Sequence, residues 1–267
     1  MRGEAENKCF ELLKTFLDKD VFFAMSYDDK CLVKKAFDYA KPNSQQSKFP
    51  DFIFEGGFIE HFQVTSSYEN RKGSTMEREN NNINLNFQSR AKEVVDNLPE
   101  RNITIYSVET PQYWYRQHSY ENFVNSFKEN LEHHIESLIK YDGIKKYKIF
   151  MIEYNDSALY MSKKYPGDLM LNISYGDLLT VEKSPYRLSR DKILLDYIYS
   201  NRDMIDYVIF IDKNDFQGVF VDIIKSQNAL EIIKLLYEGY NFHCSTIGMS
   251  QFGIGVSVPH REGDADL

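Results

Sequence analysis

The 267-residue chain carries 27% charged residues, a formal net charge of −8 and a pI near 5.4, a balance that argues against sequence-independent binding of nucleic acid through a broad basic face. Hydrophobic residues at 42% suit a globular chain long enough to bury a core in one large domain or two small ones. No apolar run reaches the ~18 residues of a membrane-spanning helix, and the scattered cysteines Cys9, Cys31 and Cys244 make no CxxC pair and no disulfide framework.

That cysteine usage points to a reducing compartment. The opening "MRGEAENKCFELL" has no apolar signal core, so the expected location is the cytoplasm. Aromatics reach 15%, mostly Tyr and Phe. Flat side chains of this kind fill cores and grooves without naming a ligand.

In chain order, 4–18 places Cys9, Phe10, Leu12, Leu13, Phe16 and Leu17 at helical spacing. A second helix is predicted at 29–40, and the polar "KPNSQQSK" of 41–48 ends it as a loop. "DFIF" is a short strand, "EGG" turns the chain, and "FIEHFQVTSS" returns as a second strand. Polar residues fill 68–82, a loop. Helical spacing resumes over 83–97, and "ITIYSVE" at 103–109 is a strand. The clearest helix is 119–140, with Phe123, Phe127, Leu131, Ile135 and Leu138 on one face and Ser119 as its cap. "YKIFMIEY" at 147–154 is an apolar strand. Beyond it the pattern gives strands at 158–162, 205–212 and 218–225, helices at 190–200 and 228–238, and a glycine-spaced tail.

Strands alternating with helices from 58 to 154 predict an α/β fold with a central mixed sheet flanked by helices. The expected organisation is a core over 1–155 and a C-terminal α/β extension, 156–267, packed on the same domain. No repeat or Pro/Gly/Ser-rich linker divides the chain.

The stretch "FPDFIFEGGFIEHFQVTSS" carries the polar groups that need explaining, because polar side chains within strand-like sequence cost free energy unless they pair or work. On the second strand Phe58, Glu60, Phe62 and Val64 share one face and Ile59, His61, Gln63 and Thr65 the other. Asp51 opens the preceding strand, and register decides whether it meets Glu60 or Gln63. Asp51 has a second reading, as a side chain that accepts backbone amides at a strand entrance.

Pro50-Asp51, a short strand, a turn, an acidic residue in an apolar strand and then a helix and a strand resemble the PD-(D/E)xK nuclease superfamily, with its restriction-endonuclease-like core. The resemblance implies a Mg²⁺-dependent (or Mn²⁺-dependent) endonuclease that hydrolyses DNA, in restriction or defence, with Asp51 and Glu60 holding the metal. Phosphodiester hydrolysis needs a metal Lewis acid, an aligned hydroxide and charge stabilisation at the phosphate. The position two after Glu60 is Phe62 where the superfamily has Lys. Gln63, one further on, or Lys72, in "NRKGS", is left to position the attacking water. The alternative is a scaffold of the same fold that has lost catalysis and binds a protein or nucleic-acid partner. No membrane partner is expected.

Other motifs carry less. His133 and His134 are adjacent on a helix and do not face one site, and Glu132 and Glu136 read as surface charges. Cys244 beside His243 is a faint nucleophile signal, and a small-molecule hydrolase built around the 240s tail is the weakest option. Tyr113, Trp114, Tyr115 and Arg116 follow a strand end, where they would stack on unpaired bases or plug the core.

Overall fold

The computed structural model describes residues 4–44, 48–67, 118–163, 181–214, 217–236 and 240–244, strand residues 106–107 and 254–255, and the helical positions Asn82, Leu85, Asn86, Ser89 and Lys92. Two compact units divide the chain: Met1–Ser67 with His118–Ser245, and Tyr68–Gln117 with Thr246–Leu267. In the second unit, strands β5 (Tyr106–Ser107) and β12 (Ile254–Gly255) pair antiparallel.

The first unit is built on a seven-stranded mixed sheet of order β1-β10-β9-β6-β4-β3-β2. The strands are β1 (Phe22–Phe23), β2 (Lys41–Pro42), β3 (Phe52–Phe54), β4 (Gly57–Val64), β6 (Tyr147–Tyr154), β9 (Tyr207–Asn214) and β10 (Gly218–Lys225). At its centre β4, β6 and β9 run parallel. The β3–β4 hairpin extends one side, and β10 lies antiparallel to β9 on the other. A three-stranded antiparallel sheet of β7 (Leu159–Lys163), β8 (Val181–Pro185) and β11 (Tyr240–Cys244) belongs to the same unit. The central sheet therefore draws strands from both sides of position 155, where the sequence suggests an extension begins.

Helices cover both faces, as parallel strands require. On one face α3 (Tyr120–Lys140), α4 (Lys192–Ser200) and α5 (Ala229–Leu235) bury Phe123, Phe127, Leu131, Leu194 and Ile232 against Phe58, Phe62, Phe150, Ile152 and Phe210. On the other, α1 (Glu4–Lys14) and α2 (Tyr27–Tyr39) set Phe10, Leu13, Val33 and Phe37 against Ile59, Ile149, Met151, Ile209 and Ile211. The even residues of β4 thus face α3 and the odd ones face α1, the alternation read from the sequence. The α3 side holds more buried aromatics than the α1 side, and there Phe123 meets Tyr154, Tyr186 and Phe210 edge-on at 5.0–6.0 Å. No helix among the described residues is long and apolar enough to cross a membrane.

Local chemistry fixes the helix starts. Ser119 accepts the amide of Asn122 at the start of α3, and Asp191 accepts those of Ile193 and Leu194 at α4. Ser26 and Asp29 form a reciprocal capping box at α2. In the hairpin turn Gly56 takes φ +93°. Gly57 has a different reason to be glycine: a Cβ there would lie 2.1 Å from the carbonyl oxygen of Tyr147.

Gly57→Ala would force β4 and β6 apart at their paired start and is expected to destabilise the fold by at least about 2 kcal/mol in urea unfolding. Gly218→Ala, at φ +96° with nothing within 4 Å of the new methyl, meets only backbone strain of about 1–2 kcal/mol. Equal losses in the two variants would refute the steric account of Gly57.

Candidate functional site

The β3–β4 register pairs Phe52 with Ile59, which sets Asp51 beside Glu60. Each carboxyl accepts a backbone amide from the facing strand. The amide of Asp51 donates to Glu60 Oε2 at 3.0 Å, and the amide of His61 donates to Asp51 Oδ2 at 2.8 Å. Glu60 Oε1 lies 2.7 Å from Nδ1 of His134, which reaches in from α3 with its ring stacked on Phe62. The backbone-binding reading of Asp51 is thus realised together with its approach to Glu60.

Burial dominates the chemistry of this pair. It raises the Asp51 carboxyl to about 6, with the charge of Glu60 adding to it and the amide of His61 opposing. It raises Glu60 to about 8 against the pull of the Asp51 amide, and the charge of Glu6 on α1 pushes both carboxyls further up. Burial lowers His134 to about 4. At neutral pH the Glu60–His134 contact is therefore a carboxylic acid donating to a neutral imidazole, not an ion pair. A pocket of about 30 Å³ beside Asp51 is lined by Glu6, Asn7, Asn43 and Lys48 among others, room for a water or an ion.

The odd face of β4 carries a second constellation. His61 Nε2 lies 2.8 Å from Glu153 Oε2, and Gln63 Nε2 donates to the same oxygen at 3.0 Å. Lys213 Nζ pairs with Glu153 Oε1. Register explains the meeting: Gln63 lies opposite Glu153 on β6, which lies opposite Ile211 on β9, so Lys213 extends from the neighbouring strand on the same face. Burial pushes the Glu153 carboxyl up, but the hydrogen bonds from His61, Lys213 and Gln63 outweigh it and hold the group at about 2. Cys9, fully buried on α1, closes the set. Cys9, His61 and Glu153 offer ligand atoms that all lie within 4.8 Å of one another, the single such trio among the described residues.

Of the residues singled out from sequence, Asp51 and Glu60 meet, Gln63 lies on the opposite face of β4, and Lys72 lies outside the described residues, as do Tyr113, Trp114, Tyr115 and Arg116. His133, Glu132 and Glu136 are exposed on α3. The His243 ring contacts Ser162 Oγ at 2.9 Å, and burial lifts the Cys244 thiol to about 12, so the pair has neither the geometry nor the ionisation of a nucleophile and its base. Sequence reasoning missed Glu6, Cys9, His134, Glu153 and Lys213. The signal for Glu153 was present, a lone acid in "YKIFMIEY" of the same kind as Glu60 in its strand. No protein family, curated protein or solved structure matches the chain.

The pair sets a pH dependence. Folded protein keeps a proton on Glu60 that the unfolded chain releases above the ordinary 4.5, so this group's contribution to stability is lost as pH rises toward about 8. His134 acts in the opposite sense only between about 4 and 6.5. In chelator-containing buffer the urea midpoint is expected to fall as pH rises from 6.5 to 8, and Glu60→Gln is expected to flatten that slope. An unchanged slope in the variant would remove Glu60 as its source.

Proposed function

We propose that the chain is a metal-dependent nuclease that hydrolyses DNA phosphodiester bonds, with Asp51 and Glu60 as the residues that hold Mg²⁺ or Mn²⁺. One observation carries this reading: the hairpin sets two largely buried carboxyl groups side by side, each raised by burial and crowded further by Glu6. A divalent cation relieves that crowding. The fit is chemically sound, because the donors are hard carboxylate oxygens and Mg²⁺ is bound by one or two carboxylates while it keeps several waters. The pocket against Asp51 has room for an ion, although Glu60 does not line it and would have to reach the ion from its contact with the Asp51 amide. The order of strand, turn, acidic strand, helix and strand is the part of the PD-(D/E)xK resemblance that supports the same reading.

A bound divalent ion would supply a Lewis acid for the phosphate and an acidified water. The chain's own residues prepare for it. The amide of His61 orients Asp51. Glu60 must lose its proton to act as a ligand; the charge of an incoming cation would supply that pull, because His134, 2.7 Å away but lowered to about 4, is too weak a base to take the proton. Phe62 stands where the superfamily has its lysine, and Gln63 is engaged by Glu153 on the other face.

That engagement favours a second reading, the non-catalytic scaffold that binds a partner. Both oxygens of Glu60 already have hydrogen-bond contacts, and Asp51 already accepts an amide.

Cleavage of plasmid and single-stranded DNA with Mg²⁺ or Mn²⁺ separates the two. The nuclease reading expects Asp51→Ala and Glu60→Ala to lower the rate by at least about 100-fold, with far-ultraviolet circular dichroism unchanged. Equal cleavage by wild type and both variants, or none by any, would sink it.

A further inference from the structure

We infer that Cys9, His61 and Glu153 form a zinc site that ties the amino-terminal helix to the centre of the sheet. Three elements converge there: α1 supplies Cys9, β4 supplies His61 and β6 supplies Glu153. Their ligand atoms lie within 4.8 Å of one another, and all three residues are buried. Tetrahedral zinc, with bonds of about 2.0–2.3 Å to S, N and O, sets ligand atoms roughly 3.3–3.8 Å apart, so a trio already within 4.8 Å closes on the ion by side-chain shifts.

The donor set selects the metal. Thiolate and imidazole suit zinc and its borderline-soft neighbours, and they do not suit Mg²⁺ or Ca²⁺. This site therefore differs in kind from the Asp51–Glu60 pair, which offers only carboxylate oxygens and stands on the opposite face of β4.

The surroundings accommodate the ion. Glu153 can bind through Oε2 while Oε1 keeps Lys213, an outer contact that fixes the carboxylate. Gln63, the exposed residue of β4, sits at the rim. With its amide turned it presents a carbonyl oxygen to the fourth position, or it leaves that position to water. Two contacts have to change. The 2.8 Å approach of His61 to Glu153 opens as the ion enters between them. The Cys9 thiol proton goes to solvent, so binding strengthens as pH rises.

The test uses the full chain stripped with chelator and titrated anaerobically with Co²⁺, a zinc surrogate whose bond to a thiolate gives a charge-transfer absorption in the near ultraviolet. The expected result is that band saturating at one equivalent per chain and bleaching when Zn²⁺ is added, with a rise in the thermal midpoint. Cys9→Ala is expected to abolish the band and weaken Zn²⁺ binding by at least about 100-fold. Glu153→Gln, nearly isosteric, is expected to weaken it at least about 10-fold. Asp51→Ala is expected to retain the band, which keeps this result separate from the nuclease assay. Absence of a thiolate band in wild type, its persistence in Cys9→Ala, or its loss in Asp51→Ala would each overturn the assignment. The wild-type titration decides the matter even where a variant fails to fold.

Discussion

Glu153 lies in the middle of the sheet with almost no water contact, and three side chains share its two oxygens. His61 and Gln63 come from β4, and Lys213 comes from β9. A carboxylate placed there alone would cost several kcal/mol in lost hydration. Its partners offset that cost only because β4, β6 and β9 keep one register. A slip of one residue in β4 would turn His61 and Gln63 to the opposite face and leave Glu153 with Lys213 alone, its other oxygen without a donor from β4. The polar row thus makes the pairing of the parallel strands specific, where apolar neighbours such as Ile149 and Ile209 would tolerate more than one alignment.

Buried acids in this fold meet the same constraint in three ways. Glu153 is paired and stays ionised. Glu60 keeps its proton and shares it with His134. Asp212, with no hydrogen-bond partner on either oxygen among the described residues, is raised to about 7 by burial and by the charge of Asp222. The donors within reach make the difference between the first two, since His61, Lys213 and Gln63 together hold Glu153 ionised. Lys213 reaches Glu153, whereas the residue on the face of Glu60 two positions along is Phe62, stacked on His134. Glu60, met by the amide of Asp51 and the ring of His134, is instead a carboxyl group that burial raises to about 8.

Much of this was legible in the sequence, and the limit has a physical cause. Helices α1 and α3, the hairpin and the three central strands follow from period and turn residues, which are local. That Asp51 approaches the second strand follows from a short turn, which is nearly local, while the choice of Glu60 over Gln63 waits on the register that pairs Phe52 with Ile59. Glu153 and Lys213 lie about 90 and 150 residues from Gln63, and which strands lie side by side depends on packing that no window of sequence contains. Strands β1 and β2, two residues each, lack the length for alternation to register. His134 was set aside because His133 beside it faces elsewhere. That geometric argument was sound for the pair, but it said nothing about one histidine reaching across to Glu60.

The two proposed sites are joined through α1. Cys9 and Glu6 lie three residues apart, so they sit on adjoining parts of one helix surface. Cys9 packs against His61 and Glu153, while Glu6 bears on Asp51 and Glu60. Whatever fixes Cys9 to the sheet therefore also sets how closely the negative charge of Glu6 approaches the hairpin carboxyls. His61 extends the link through β4, since its ring meets Glu153 while its amide holds Asp51. A cation bound at Cys9 would lower the freedom of α1 and hold both contacts in place. If the carboxylate pair binds a metal as proposed, its affinity would then depend on a residue that never touches it.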